Sequence, residues 1–382
     1  MLPKPSPSIA QNSEEFETAP LIAPQGFREY DARWLFPDEI NLRGIQALGM
    51  GLGTLLHDLK VDPRISVGHD YRSYSGSIQQ ALMNGLMAAG AEVFDIGLAL
   101  SPTAYFSQFA LDVPAVAMVP ASHNENGWTG VKMGAARPLT FGPDEMSALR
   151  EIVLNGTYQA RPGGSYTYVN NMRERYIADL VDRPKIKRKL KVVAACGNGT
   201  AGIFAPAVLD GIGVEVIPLD CELDHTFPRY NPNPEDMEML HAIRDKVLET
   251  GADVGLAFDG DGDRCGVVDN EGEEIFADKD LSATQPNAQF VVDVKSTGLF
   301  LTDPVLIENG AKTDYWKTGH SYIKRRAHEL DALVGFEKSG HYFFNPPIGR
   351  GYDDGLVSAI AICDMLDRAP DHSMADLKRA LP

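Results

Sequence analysis

Short apolar runs of strand character alternate with longer runs of helical period along nearly the whole chain, and few architectures accept that pattern. Leu42, Ile45, Leu48, Leu52, Leu55, Leu56 and Leu59 recur at helical spacing. Arg64-Ile65-Ser66-Val67-Gly68 then predicts a strand, followed by a helix carrying Ile78, Leu82, Leu86 and Ala89. Glu92–Ile96 and Ala115–Val119 predict two further strands. Alternation of this kind points to α/β architecture. A chain of 382 residues has room for about two to four such domains.

The Gly/Pro-containing stretch at Arg161-Pro162-Gly163-Gly164 predicts a linker, after which the pattern restarts. A helix is expected from Met172 to Val181 and a strand from Leu190 to Ala195. That strand runs into Cys196-Gly197-Asn198-Gly199-Thr200-Ala201-Gly202. Such a turn serves either as a phosphate cradle or, more commonly, as a tight turn for close packing. The pattern begins a third time with the strand Gln289–Val294. A helix from His320 to Leu330, strands within Leu333–Phe344 and a helix from Asp353 to Asp367 follow. There is no close short-period repeat, although three units of similar size are compatible with distant structural copies.

Composition excludes several functions. With 44% hydrophobic and 23% charged residues the chain reads as ordinary and globular. Its formal net charge of -18 argues against a nucleic-acid partner, which needs a basic footprint. No apolar run is long enough to cross a bilayer, and residues 1–20 are polar, without an apolar signal region, and expected to be disordered. Cys196, Cys221, Cys265 and Cys363 form no C-x-x-C pair and read as thiols in a reducing compartment, so a cytoplasmic location is expected.

Chemistry concentrates in Asp259-Gly260-Asp261-Gly262-Asp263-Arg264, which follows the buried-strand pattern Ala252–Phe258. Glycines let a tight turn aim three carboxylates at one point, where they repel unless a hard cation sits between them. An EF-hand loop would need Gly where Arg264 stands and Glu where Asn270 stands. An acidic surface turn is the plain alternative; a Mg²⁺ site tied to phosphate chemistry fits better. Beyond these residues a hairpin is expected through Asn270-Glu271-Gly272-Glu273.

The predicted strand ending at Val119 delivers Pro120-Ala121-Ser122-His123-Asn124-Glu125-Asn126-Gly127. Reactive groups gather beyond the carboxyl ends of strands in open α/β sheets, and both Ser122 and Asp259 stand there. No G-x-S-x-G elbow surrounds Ser122, so a hydrolase serine fits poorly. Beside a Mg²⁺ loop, Ser122 is a candidate phosphoryl carrier.

Together these motifs resemble the α-D-phosphohexomutases, specifically the phosphomannomutase/phosphoglucomutase branch. The resemblance runs from Phe27-Arg28-Glu29-Tyr30-Asp31-Ala32-Arg33 through Gly68-His69-Asp70-Tyr71-Arg72, Ala121-Ser122-His123-Asn124, Gly130-Val131-Lys132 and the Asp259–Arg264 loop. It continues through Asp293-Val294-Lys295, Trp316-Lys317-Thr318-Gly319-His320-Ser321 and Glu337-Lys338-Ser339-Gly340-His341. It implies a phosphoserine at Ser122, with Asp259, Asp261, Asp263 and a phosphoserine oxygen binding one Mg²⁺. Arg33, Lys132 and Arg264 match cationic catalytic positions, and His341 matches a position open to acid/base work, substrate contact or support of the residues that make that contact. Tyr30, His123, Lys295, His320, Glu337 and Ser339 match substrate-binding positions.

The implied reaction interconverts hexose 6-phosphate and hexose 1-phosphate of mannose or glucose, with a hexose 1,6-bisphosphate as activator and intermediate. Amino-sugar phosphates, or a sugar-phosphate-binding protein without turnover, are the alternatives. The implied fold is three consecutive α/β domains with mixed sheets around a shared active-site cleft, at 21–165, 166–275 and 276–382. The family's usual fourth domain is expected to be absent from a chain ending at Pro382. Trp34, Glu125 and Trp128-Thr129 depart from the family's usual Gly, Pro and Tyr-Asn.

Overall fold

The computed structural model describes residues 2–183, 185–275 and 286–380. Contacts divide the chain into two compact units, one through Arg173 and one from Glu174.

The first unit is built on six strands: β1 (Ala32–Leu35), β2 (Arg64–His69), β3 (Glu92–Leu98), β4 (Ala115–Val119), β5 (Trp128–Gly134) and β6 (Ser165–Tyr168). Their order is β1-β5-β4-β2-β3-β6. The β4-β2-β3-β6 part is parallel, while β5 runs antiparallel to both β4 and β1. β4 is buried along its length, as a parallel strand covered on both faces must be. A short helix α1 (Glu14–Thr18) precedes the sheet; α2 (Leu42–Asp58), α3 (Ser75–Ala88), α4 (Ser101–Ala110) and α5 (Pro143–Asn155) accompany it.

The Leu-rich stripe predicted from 42 to 59 is α2, whose Ile45, Leu48, Leu52, Leu55 and Leu56 are buried in the core. Periodicity did not disclose how closely α2 meets α3. A Cβ at Gly49 would fall 2.2 Å from the Leu82 carbonyl oxygen, and one at Gly85 only 2.0 Å from that of Gln46. Glycine is required there because the two backbones touch.

The N-terminal segment differs from the expected disorder, and the structure corrects that expectation. Ser6 bridges to Leu21, and Asn41 Nδ2 donates to the Phe16 and Ala19 carbonyls at 2.7 and 3.0 Å. Tyr158 Oη donates to the Pro3 carbonyl at 2.8 Å. A polar segment is held here by hydrogen bonds to its backbone carbonyls, which composition does not reveal.

The described residues of the second unit form two sheets. One takes β7 (Lys191–Ala195), β8 (Glu215–Leu219), β9 (Val254–Phe258), β10 (Cys265–Asp269) and β11 (Glu274–Ile275) in the order β11-β10-β9-β7-β8. The other takes β12 (Gln289–Asp293), β13 (Lys312–Trp316), β14 (Val334–Phe336) and β15 (Tyr342–Phe344) in the order β13-β12-β14-β15. Each again joins parallel pairs to an antiparallel pair. α6 (Met172–Val181) leads into the unit, and α7 (Ala205–Ile212) and α8 (Met237–Thr250) belong to the first of these sheets. α9 (Leu299–Thr302), α10 (Pro304–Glu308), α11 (His320–Glu329), α12 (Gly355–Arg368) and α13 (Met374–Arg379) follow.

Among the described residues there are therefore three mixed α/β sheets, as the sequence predicts. The two sheets of the second unit are joined tightly: α12 packs on α7 and β10, and Tyr176 Oη donates to Asp354 Oδ2 at 2.8 Å. The predicted boundary at 275–276 falls against residues 276–285, which lie outside the described residues. Among the described residues no helix is long and apolar enough to cross a membrane.

Candidate active site

In the first unit the ladder β1-β5-β4 assembles one group of predicted residues. Arg33 on β1 sits opposite Gly130 on β5, and Lys132 on β5 sits opposite Met118 on β4. Gly130 is needed: a Cβ would fall 2.4 Å from the Ala32 carbonyl oxygen. Ser122 lies in the turn beyond β4, only 2% exposed, with φ of 51°. A left-handed backbone is uncommon for serine and is kept where the surroundings over-determine it, as at functional turns. Arg33 Nη1 donates to the Ala121 carbonyl at 3.0 Å while its Nε donates to Asp31 at 2.8 Å. The guanidinium is thereby parked beside Ser122. His123 Nδ1 lies 3.2 Å from Ser122 Oγ, Lys132 is 3% exposed, and Tyr30 is half-buried in the bend before β1.

What over-determines the Ser122 turn is a residue the sequence reading quoted without assigning a role. Arg72 Nη2 donates to the Ser122 and Asn124 carbonyls at 3.1 and 2.6 Å, and Nη1 to the Glu125 carbonyl and Asn126 Oδ1, each at 3.2 Å. Asp70 in turn takes Arg72 Nε at 3.3 Å and the Ala121 N–H at 2.9 Å. A planar fork of five donors suits a loop of outward carbonyls. The Trp34 departure is also explained: the ring is fully buried, its Nε1 donating to the Ala23 carbonyl at 2.8 Å.

In the second unit, Asp259, Asp261 and Asp263 are all fully buried, and a carboxylate oxygen from each lies within 4.8 Å of the others. The turn depends on Gly262, at φ of 71°, and on Gly260, whose N–H donates to the Pro232 carbonyl at 3.1 Å. Three buried carboxylates at this separation repel strongly, and oxygen is the donor a hard divalent cation takes. The loop fits a metal, and the surface-turn alternative fails on burial.

The Gly-rich turn after β7 packs against this loop. A Cβ on Gly199 would lie 3.3 Å from Gly260 Cα, and one on Gly197 2.9 Å from Pro232 Cα. Its glycines serve close packing, the second of the two readings.

Arg264 Nε donates to His341 Nε2 at 3.0 Å, and the two residues form a backbone bridge. The imidazoles of His320 and His341 lie 5.9 Å apart between centroids. His320 begins α11, and the N–H of the preceding Gly319 donates to Glu337 Oε1 at 2.5 Å. Glu337 is 2% exposed. Burial pushes its carboxyl up from the ordinary range, against the opposing pull of His341 and the Gly319 N–H. Ser339 is half-buried in the same turn, while Lys295 is exposed beyond the end of β12.

Asp293, quoted in a motif but given no role, is 1% exposed and ties these turns together. It accepts from Thr318 Oγ1 at 3.0 Å and the Lys338 N–H at 3.4 Å. Beside the metal loop, Asp353 is fully buried between Lys324 and His341. Burial alone would raise its carboxyl, but the Lys324 charge and the His341 and His320 imidazoles outweigh that and hold it well below the usual range.

Comparison with known proteins places this arrangement. Residues 24–160, 167–272 and 274–382 match, in order, alpha/beta/alpha domains I, II and III of phosphoglucomutase/phosphomannomutase. A phosphomannomutase/phosphoglucomutase of Pseudomonas syringae pv. tomato is 36% identical, over 95% of this chain and 78% of its own length. Its counterpart from Pseudomonas aeruginosa is 35% identical, over 92% of this chain and 76% of its own. A crystal structure of a phosphoglucomutase/phosphomannomutase family protein from Burkholderia thailandensis superposes with a TM-score of 0.87 at 31% identity, covering 95% of this chain and 80% of that one. With its Ser122 turn, its buried aspartate loop and these relatives, the chain belongs to the phosphoglucomutase/phosphomannomutase family.

Proposed function

We propose that this chain is a phosphohexomutase that interconverts hexose 6-phosphate and hexose 1-phosphate of mannose, glucose or both. Ser122 carries the phosphoryl group, and a hexose 1,6-bisphosphate is the intermediate. In the first half-reaction a sugar hydroxyl oxygen bonds to phosphorus and the bond from phosphorus to Ser122 Oγ breaks. The hydroxyl gives up its proton as the new bond forms, and Oγ keeps the electron pair and takes a proton; His341 and Lys132 are the candidate acid/base groups. The second half-reaction runs these transfers backwards from the other end of the reoriented bisphosphate.

Asp259, Asp261 and Asp263 would hold Mg²⁺, which supplies neutralising charge for phosphoryl oxygens. Arg33 and Arg264 add cationic charge, and Tyr30, His123, Glu337, Ser339, His320 and Lys295 bind the sugar phosphate. Positioning and charge neutralisation are the main demands of phosphoryl transfer, so a buried serine flanked by fixed cations suits it. Domains at 21–165, 166–275 and 276–382, small hexose phosphates as partners, and a cytoplasmic location complete the proposal.

The observation that carries the reading is the Ser122 turn, held left-handed with Arg33 fixed on its neighbouring carbonyl. Incubation with glucose 1,6-bisphosphate should add one phosphoryl group by intact-protein mass spectrometry, and Ser122→Ala should remove it. Glucose 1-phosphate should convert to glucose 6-phosphate with Mg²⁺ present. Labelling that survives in Ser122→Ala overturns the assignment.

A further inference from the structure

The cysteines offer no pairing along the sequence, yet folding brings two of them together. Cys196 directly follows β7, and Cys221 stands two residues beyond β8. These strands are parallel neighbours, with Ala195 opposite Leu219. Cys221 Sγ lies 3.5 Å from Cys196 Sγ, and both are thiols. The backbones beside them are stitched together: the Cys196 N–H donates to the Leu219 carbonyl at 3.2 Å, and the Asn198 N–H to the Asp220 carbonyl at 2.7 Å. A disulfide holds its sulfurs at about 2.05 Å, so a bridge needs them to approach by only about 1.5 Å.

The two thiols differ in access. Cys196 is fully buried, whereas Cys221 is half-buried and open to a small oxidant. Cys265 and Cys363 are fully buried as well. Thiol–disulfide exchange needs one accessible sulfur to attack and a second, close by, to resolve the mixed disulfide. This pair supplies one of each.

Cys196 also opens the glycine turn that rests on the aspartate loop. The Gly199 N–H donates to the Cys196 carbonyl at 2.8 Å, and a Cβ on Gly199 would fall 3.3 Å from Gly260 Cα. A Cβ on Gly197 would fall 2.9 Å from Cα of Pro232, whose carbonyl accepts the Gly260 N–H at 3.1 Å. Toward the other cysteine, a Cβ on Gly202 would fall 2.0 Å from the Cys221 carbonyl oxygen. Backbone meets backbone on both sides, so no flexible side chain lies between to absorb a displacement of the turn.

We propose that Cys196 and Cys221 form a reversible redox site: a low-molecular-weight disulfide oxidises them to a bridge that draws the turn toward Cys221, loosens the aspartate loop and weakens its hold on Mg²⁺. This rests on the reading of that loop as the metal site. In the first step Cys221 loses its proton and its sulfur bonds to one sulfur of the small disulfide. The S–S bond there breaks, and the departing sulfur takes up a proton. Cys196 then loses its proton and bonds to Cys221 Sγ, which expels the second small thiol in the same way. Two cysteine thiols are oxidised to one bridge while the small disulfide is reduced to two thiols.

The test equilibrates the full chain in glutathione buffers of graded ratio, with EDTA or with saturating Mg²⁺, followed by alkylation and peptide mass spectrometry. A Cys196–Cys221 bridge should form and be reversed by dithiothreitol, while Cys265 and Cys363 stay alkylated. Cys196→Ala should stop at a glutathione adduct on Cys221, and Cys221→Ser should form neither. Calorimetry should find Mg²⁺ bound about fivefold or more weakly by the bridged chain than by the reduced one. Linkage is reciprocal, so saturating Mg²⁺ should move the midpoint of bridge formation by the same factor toward more oxidising buffer. Cys221→Ser should bind Mg²⁺ like the reduced native chain in every buffer.

A native chain whose Cys196 and Cys221 stay unbridged in glutathione disulfide alone overturns the proposal, even if every variant fails to fold. So does a bridge whose midpoint ignores Mg²⁺ although the reduced chain binds the ion. A reduced chain that binds no Mg²⁺, yet forms the bridge in EDTA, would instead count against the metal reading of the aspartate loop and leave the redox pair standing.

Discussion

At the scale of single residues, the aspartate loop makes a prediction whose sign depends on the metal. Three buried carboxylates within 4.8 Å repel one another until a cation neutralises them. Asp261→Asn removes one negative charge with almost no change of shape. In metal-free buffer the variant should unfold at the same temperature as the native chain or slightly above it. With Mg²⁺ the order should reverse, because only the native loop binds the ion well. Ligand at 100 times its Kd adds about 2.7 kcal/mol to the native state. Thermal unfolding of both proteins with EDTA and with Mg²⁺ checks this. A native melting temperature indifferent to Mg²⁺ would remove the metal from the site. The loop was legible in the sequence because its three carboxylates are neighbours along the chain. Arg72, Asp293 and Asp353 were not, since their partners lie far away in sequence: Arg72 meets carbonyls near Ser122, and Asp353 meets Lys324. Pairings of that kind become visible only when the chain is folded.

At the scale of elements, α2 and α3 show what periodicity reads and what it misses. The apolar stripe locates both helices, and the apolar run Ala115–Val119 is the strand its pattern predicts. β5, with Gly130 and a buried Lys132, and the exposed edge strand β6 lack a clean alternation and passed unread. The glycines of α2 and α3 carry opposite predictions. Gly85→Ala places a methyl 2.0 Å from the Gln46 oxygen of α2, so the helices must part. Overpacking of this kind costs about 1–3 kcal/mol and outweighs the roughly 1 kcal/mol that alanine offers a helix. Gly76→Ala, whose new methyl meets nothing nearer than the His69 ring at 3.9 Å, should be neutral or stabilising by up to about 1 kcal/mol. Urea midpoints for the two variants should fall on opposite sides of the native value, or the Gly85 variant should at least lie clearly lower. Equal midpoints would mean that the α2–α3 contact relaxes without cost.

For the whole molecule, stability against pH joins a large surface charge to a few buried acids. The formal charge of -18 means that raising pH through the carboxylate range increases self-repulsion across the folded chain. Asp354 adds a sharper dependence. Burial pushes its carboxyl from 3.8 to about 6, against the hydrogen bonds it takes from the Val357 N–H, Tyr176 Oη and the Leu356 N–H. Because the folded state holds this proton more tightly than the unfolded chain, the associated stability is fully present below about pH 4. It is lost as pH rises toward 6. A shift of this size corresponds to about 3 kcal/mol. Asp353 works in the opposite sense: its carboxyl is held low, so its contribution is present above the ordinary carboxylate range and fades in acid. Asp354→Asn keeps an acceptor for the α12 cap and for Tyr176 but cannot ionise. Relative to the native chain it should therefore gain about 2–3 kcal/mol between pH 4 and pH 8. Urea unfolding with EDTA at both pH values isolates this term, because the surface repulsion is common to the two proteins and cancels in the difference. Raising the salt should flatten both curves by screening the surface and leave the difference in place, since a fully buried carboxylate is screened far less. A difference that vanishes in salt, or a variant whose pH dependence equals the native one, would place the cost on the surface charge and clear Asp354.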